Sequence, residues 1–282
     1  MQEKIKVITI GDYKDSTLKN YFKDNENIEF LELTLNENIE KLDNKLSNRD
    51  IVFLRSNELE TLLEIGKVLK EKGIITVTVL EEKLVIENKE ILEKSFNTIF
   101  PVTKKDDIEN LLLELLKTID NIIFGICFIN LDIEDVKNML EDLGIAVFGT
   151  FNKNEENSEK ELVKSITYPF YNKTLKDSKK ILIHLDTLED VGLAESQVII
   201  EALRDESSKE IEDILFSLRI DTHLKNRIEC SFIAGKFREK DVLKCLDSSE
   251  VCDKKEIEEI IEILSNLSEE DKEISSSHVI EL

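Results

Sequence analysis

Short apolar runs of strand length, rich in Ile, Val and Phe, recur in the first hundred residues at 5–10, 28–33, 51–54, 74–80 and 98–102. Between them lie segments that open on polar residues and carry an apolar stripe, at 16–22, 36–46, 57–72 and 88–96. The alternation predicts strand, helix, strand, helix, hence a parallel sheet covered on both faces. Such sheets are common among nucleotide-binding domains, but an architecture alone does not give a function.

The strongest helical pattern follows at 106–120, where Ile108, Leu111, Leu112, Leu115, Leu116 and Ile119 repeat at helical spacing. A stripe that wide predicts burial between two layers or two domains. The run 121–129 predicts a strand. Residues 132–143 predict a helix striped by Val136, Met139, Leu140 and Leu143, with Gly144 as its C′ residue. Strands at 145–151 and 180–185 and helices at 157–166 and 195–204 come next. Two long strands at 211–220 and 227–234 are joined by 221–226 and read as an antiparallel hairpin. The second half therefore reads as an α+β domain. Past residue 239 the composition turns acidic, with 14 acids against five bases in 44 residues. One helix is expected there at 254–267, on Ile257, Ile260, Ile261, Leu264 and Leu267, and the end, 268–282, has the composition of an unstructured terminus.

Composition narrows the chemistry. The chain has 282 residues and a formal charge of −23, which argues against nucleic acid, because each phosphate contact needs a Lys or Arg. No apolar run approaches the roughly 20 residues that span a bilayer, so direct membrane insertion is not expected. Nor does the opening Met1-Gln2-Glu3-Lys4 read as a signal peptide. Cys127, Cys230, Cys245 and Cys252 show no C-x-x-C spacing, and a reducing cytoplasmic setting follows as the expectation. The histidines are isolated: His184 is expected in a core or on a sheet face, and His223 and His278 have no assigned role. No nucleophile motif and no metal-ligating cluster stands out.

One stretch carries a family signature. Gly125-Ile-Cys-Phe-Ile-Asn-Leu-Asp-Ile-Glu-Asp-Val136 resembles the loop between strand and helix, Asn-x-Asp-x-x-Asp, of FtsZ, the bacterial tubulin homologue; the matching residues are Asn130, Asp132 and Asp135. The same order of features continues through Gly144, Ala146 and Gly149, then Tyr168-Pro169, a strand at 181–185, an acid-bearing loop and helix at 186–203, Ile220-Asp221, and Phe232-Ile233-Ala234-Gly235. The resemblance covers about residues 122–237. It implies an α/β, tubulin/FtsZ-like fold: a Rossmann-type parallel-sheet domain over 1–105, a central helix over 106–121, and an α+β C-terminal domain over 122–238. An acidic tail occupies 239–282.

The first half resembles the family as a worn copy. Where the family's opening strand runs into glycines, this chain reads Gly11-Asp12-Tyr13-Lys14-Asp15-Ser16. Where the family has its Gly-Gly-Gly-Thr-Gly-Thr-Gly loop, this chain reads Ser56-Asn57-Glu58-Leu59-Glu60-Thr61. Phosphates bind where backbone N–H groups converge at a helix N-terminus, and glycine lets the backbone come close. The positions Gly11, Asp12, Asn57 and Glu58 are thus degenerate remnants. Neither a bound cofactor nor a metal is expected; the alternative is that unrelated residues rebuild a GTP site.

For the retained loop two readings stand. Asp132 can cap the following helix and Asp135 can sit in its acidic first turn. The resemblance implies instead that Asn130, Asp132 and Asp135 act in trans, in the nucleotide site of a neighbouring subunit, with no catalytic residue in cis. The expected function is a cytoskeletal or cell-division protein, a pseudo-GTPase that docks its loop face on FtsZ or another tubulin-like subunit and caps or modulates polymerisation. The alternatives are a GTPase forming its own filaments by self-association, and an acidic scaffold without filament contacts.

Overall fold

The computed structural model describes residues 3–11, 16–34, 45–105, 107–153 and 166–237. Most of the helix expected at 36–46, nearly all of that at 157–166, and the whole tail with its helix lie outside the described residues, as do Asp12, Asp15, Cys245, Cys252 and His278.

The predicted alternation is present. Strand β1 (Ile5–Ile10) is followed by α1 (Ser16–Tyr21), β2 (Ile28–Leu33), β3 (Ile51–Ser56), α2 (Leu59–Glu71), β4 (Ile75–Glu81), α3 (Glu82–Glu87), α4 (Lys89–Ser95) and β5 (Thr98–Val102). The strands pair in parallel in the order β2-β1-β3-β4-β5-β6, where β6 is the two-residue Gly144–Ile145. β1, β3 and β5 are buried almost throughout, as expected for a sheet covered on both faces. β1 is continued by β2 on one side and β3 on the other. The sheet therefore has a switch point outside the carboxyl ends of β1 and β3.

Helix α5 (Asp107–Phe124) joins the two halves. Its Leu111, Leu112, Leu115, Leu116, Ile119 and Ile122 are buried in one cluster with Val7, Phe53 and Phe100 of the first sheet and Leu182 and Ile233 of the second. The helix continues past the expected end at residue 121. The strand expected at 121–129 is not formed: 121–124 are the last turn of α5, and only Ile129 makes a single bridge, to Leu218. Ile122 is the reason, since it continues the buried stripe of α5.

Helix α6 (Ile133–Leu140) is shorter than expected. Gly144 does adopt the left-handed region, with φ 60, yet it stands beyond the helix cap and opens β6. The strand expected at 145–151 is divided at Ala146: Ile145 pairs with β5, whereas β7 (Val147–Lys153) belongs to the second sheet. That sheet adds β8 (Lys180–Thr187), α7 (Leu193–Glu206), β9 (Asp213–Ile220) and β10 (Ile228–Gly235), with strand order β7-β10-β8-β9. The expected 211–220/227–234 hairpin is therefore corrected. β8 lies between β9 and β10, antiparallel to β10 and parallel to β9. β8-α7-β9 is a crossover unit, and the linker 221–227 spans β8, longer than the roughly two to five residues of a hairpin loop.

Candidate functional site

Two places carry the residues singled out by sequence, at opposite ends of α5. The first is the switch point. Gly11 leaves β1 with φ 84 and donates its N–H to Leu33 O at 2.8 Å. A left-handed residue here needs glycine. Across from it, Ser56 Oγ accepts the N–H of Glu58 at 3.0 Å, and Glu58 is the N-cap of α2 with no side-chain capping bond, with Glu60 in the first turn. Thus Asn57 and Glu58 stand at a helix N-terminus, as expected, and Glu58 and Glu60 set carboxylates where an anion would approach.

Arg55 is the residue that sequence reading missed. It ends the buried run of β3, is only 4% exposed, and donates from Nη2 to Glu109 Oε1 at 3.3 Å. With Ser56, Asn57, Thr78, Glu81, Lys105 and Ile108 it lines a crevice of about 70 Å³. Sites for drug-sized ligands run to about 300–1,000 Å³. A buried position in a strand run that predicts only core gave no signal that an arginine would turn into the crevice.

The second place is the loop that follows α5. Gly125 donates its N–H to Asn121 O at 3.1 Å, and a Cβ at Gly125 would stand 2.3 Å from that same oxygen. Cys127 Sγ donates to it as well, at 3.3 Å. Leu218 O accepts from the N–H groups of both Phe128 and Ile129, at 2.7 and 3.1 Å, and Leu218 N–H donates to Ile129 O at 3.1 Å. The loop is thereby laid along β9 in extended form, and alternate residues face outward. Ile126 is 96% exposed and Phe128 71%, and Asn130 follows on the same face.

Asp132 and Asp135 then close a capping box on α6. Asp135 N–H donates to Asp132 Oδ1 at 2.8 Å, and Asp132 N–H donates to Asp135 Oδ2 at 3.1 Å. The capping reading of both residues is realised. It uses one oxygen of each carboxylate and leaves both side chains at the surface. Asn130, Asp132 and Asp135 therefore lie beside two large exposed apolar groups, Ile126 and Phe128, that the sequence reading had placed in a strand.

The base of this loop is pinned by charge. Arg219 donates to Asp186 Oδ1 at 2.6 Å and to Asn121 Oδ1 at 3.1 Å. Burial disfavours the Asp186 carboxylate, but hydrogen bonds from His184 and Arg219 outweigh it and hold its pKa below the ordinary value. His184 is 3% exposed, with Nδ1 2.6 Å from Ser217 Oγ, in the sheet position expected of it. His223 serves only through its backbone N–H, which bonds Asp221 Oδ1 at 2.9 Å. Among the described residues no cluster of metal-ligating side chains occurs, and no helix is long and apolar enough to cross a membrane.

No protein-family model matches the chain. The cell division protein FtsZ of Aquifex aeolicus is 24% identical over 237 residues, covering 72% of this chain and 64% of that relative, so the match spans less than two thirds of its length. Among solved structures, a tryptophan-to-tyrosine variant of M. jannaschii FtsZ superposes with a TM-score of 0.65 at 16% identity, covering 83% of this chain and 91% of that one. GDP-form protofilaments of Bacillus thuringiensis serovar israelensis TubZ give 0.61 at 11% identity, covering 97% and 94%. Two sheets joined through a buried central helix, a capped acidic loop at its far end and these likenesses agree: the chain is an FtsZ/tubulin-like protein.

Proposed function

We propose that this chain is a cytoskeletal pseudo-GTPase that docks its loop face, Ile126 to Asp135, onto the nucleotide face of an FtsZ-type subunit and caps or limits that filament end. The observation that carries the reading is the asymmetry between its two ends. The loop end keeps Asn130, Asp132 and Asp135 on an exposed, well-anchored surface. What supports loss of the nucleotide is the character of the switch-point end. Its described crevice is about 70 Å³ and is lined by Glu81 and by Arg55, whose guanidinium is already held by Glu109, while Glu58 stands at the N-cap beside it. A phosphate about 4 Å from one carboxylate costs roughly 1–4 kcal/mol, depending on the dielectric.

Ile126 and Phe128 support docking independently of the carboxylates. Large apolar side chains that exposed, grouped on one ordered loop, mark contact surfaces. The setting we infer is cytoplasmic, consistent with the free thiols of Cys127 and Cys230. No role with nucleic acid or inside a membrane is assigned.

Co-sedimentation with a GTP-polymerising FtsZ is the test. Substoichiometric chain is expected to shorten the polymers, and Ile126→Asp with Phe128→Asp to abolish the effect. Unchanged polymer mass and length would sink the reading. The alternative, a GTPase that assembles on itself, draws on neighbours whose structures are an FtsZ dimer and TubZ protofilaments. Equilibrium dialysis with labelled GTP decides between them, because micromolar binding overturns the pseudo-GTPase.

A further inference from the structure

A different surface has the geometry of a peptide site. β9 is the outer strand of the second sheet, with β8 on one side only. On its other side Leu218 uses both its N–H and its C=O to bond Ile129. Backbone groups alternate along a strand, so Phe216 and Ile214, two and four residues earlier, aim theirs at the same open side. No backbone partner covers them there among the described residues.

Beside this edge runs a groove of about 490 Å³. Its floor is Ile214 and Phe216, both half-buried and packed on the same cluster as Ile199 and Leu203 of α7. Its wall is the outer face of α7, with Leu193, Gln197 and Ile200, and Leu193 is 57% exposed. The rim holds Glu201, Glu212 and Asp213 against a single Arg204. Glu212 is already paired with Lys236 at 2.5 Å and Lys179 at 3.6 Å, which leaves Glu201 and Asp213 to set the sign.

We infer that the β9 edge from Asp213 to Phe216 and the α7 groove beside it bind an extended, basic peptide segment of a partner protein by antiparallel strand addition. The short stretch Phe128–Ile129 shows that this edge accepts an antiparallel neighbour, and an incoming strand would continue the sheet from the point where that stretch turns away into α6. Main-chain bonds to Ile214 and Phe216 supply the register. Every second side chain of the peptide enters the groove against Ile200 and Leu193, and a Lys or Arg at its flank meets Glu201 or Asp213. The surface is separate from the exposed loop residues Ile126 and Phe128 and does not depend on what they bind.

The probe is an acetylated, amidated peptide that alternates isoleucine and threonine between terminal lysines, titrated into the full-length ¹⁵N-labelled protein. Saturable binding is expected, with amide shifts at Ile214 and Phe216. Methylating the peptide nitrogens that face β9 removes main-chain bonds and should weaken binding about tenfold. Leu193→Lys, at an exposed helical position that leaves the fold intact, should weaken it comparably by placing a cation against the basic peptide. Equal binding by the methylated peptide, shifts confined to the 125–132 loop, or no binding at millimolar peptide would each overturn the inference.

Discussion

Asp132 shows how one residue can serve both stability and contact. Its capping bond satisfies an N–H that α6 cannot satisfy internally. Replacing it with alanine should cost about 1 kcal/mol, whereas asparagine caps nearly as well and removes only the charge. Urea midpoints should fall for Asp132→Ala and hold for Asp132→Asn, with unchanged m values. If both variants lose the same stability, the capping box is not the reason for Asp132. Asp186 and Asp142 test charge at the same scale. Burial opposes both, yet bonds from His184 and Arg219 to the first, and from Lys180 and Lys236 to the second, hold both pKa values below the ordinary carboxylate value. Their stabilisation is complete above the unfolded pKa of about 3.9 and is lost as pH falls through the lower folded values. Asp120 has the opposite sign: burial raises its pKa despite hydrogen bonds from Asn25 and Asn27, so its ionisation opposes folding as pH rises. Bonds from Arg227 and from Lys236 lower Glu195 and Glu212 as well, and burial raises Glu82. With four lowered carboxylates against two raised ones among the described residues, urea midpoints should drop below about pH 4, and Arg219→Ala should shrink the drop. Midpoints that stay level from pH 5 to pH 3 would contradict the argument.

At the scale of elements, the second sheet is built on close approach. Gly149 of β7 lies opposite Phe232 of β10, and a Cβ there would stand 2.2 Å from Phe232 Cζ. Phe232 is fully buried, with the Tyr168 ring edge-on at 6.0 Å, so it has nowhere to move. Gly149→Ala should therefore cost about 1–3 kcal/mol by overpacking, read as a lowered melting temperature. An unchanged melting temperature would mean the ring relaxes freely. The same elements mark what sequence could tell. Period and residue type located β1 to β5 and α5, because each is buried along a full face or stripe. They failed at 121–129, where a continuous apolar run is the same whether it ends a helix or forms a strand. They failed again at β9 and β10, because neighbours in sequence need not be neighbours in a sheet, and β8 comes between them. The candidate site was legible to the same extent. Asn130, Asp132 and Asp135 were found as a pattern, but the exposure of Ile126 and Phe128 and the inward turn of Arg55 depend on tertiary packing that no local spacing encodes.

The charge of the whole molecule, −23, decides which partners its two ends can accept. In the proposed docking geometry, stacking this chain on its own copy would bring Asp132, Glu134 and Asp135 of one subunit toward Glu58 and Glu60 of the next. Glu134 is partly offset by Lys137 at 2.9 Å, but among the described residues Asp132, Asp135, Glu58 and Glu60 form no ion pair. Each like-charged pair brought to about 4 Å costs roughly 1–4 kcal/mol over the range from water to a protein surface. The expected outcome is that the protein stays unassembled in analytical ultracentrifugation at 0.1 M salt, with or without GTP, where charges are screened only beyond about 10 Å. Reversing one side, by Glu58→Lys with Glu60→Lys, should turn the repulsion into attraction and produce salt-sensitive self-association. Filaments of the unmodified chain at 0.1 M salt would refute the electrostatic argument and favour the self-assembling alternative, whereas monomers in both proteins would mean that the two ends never meet.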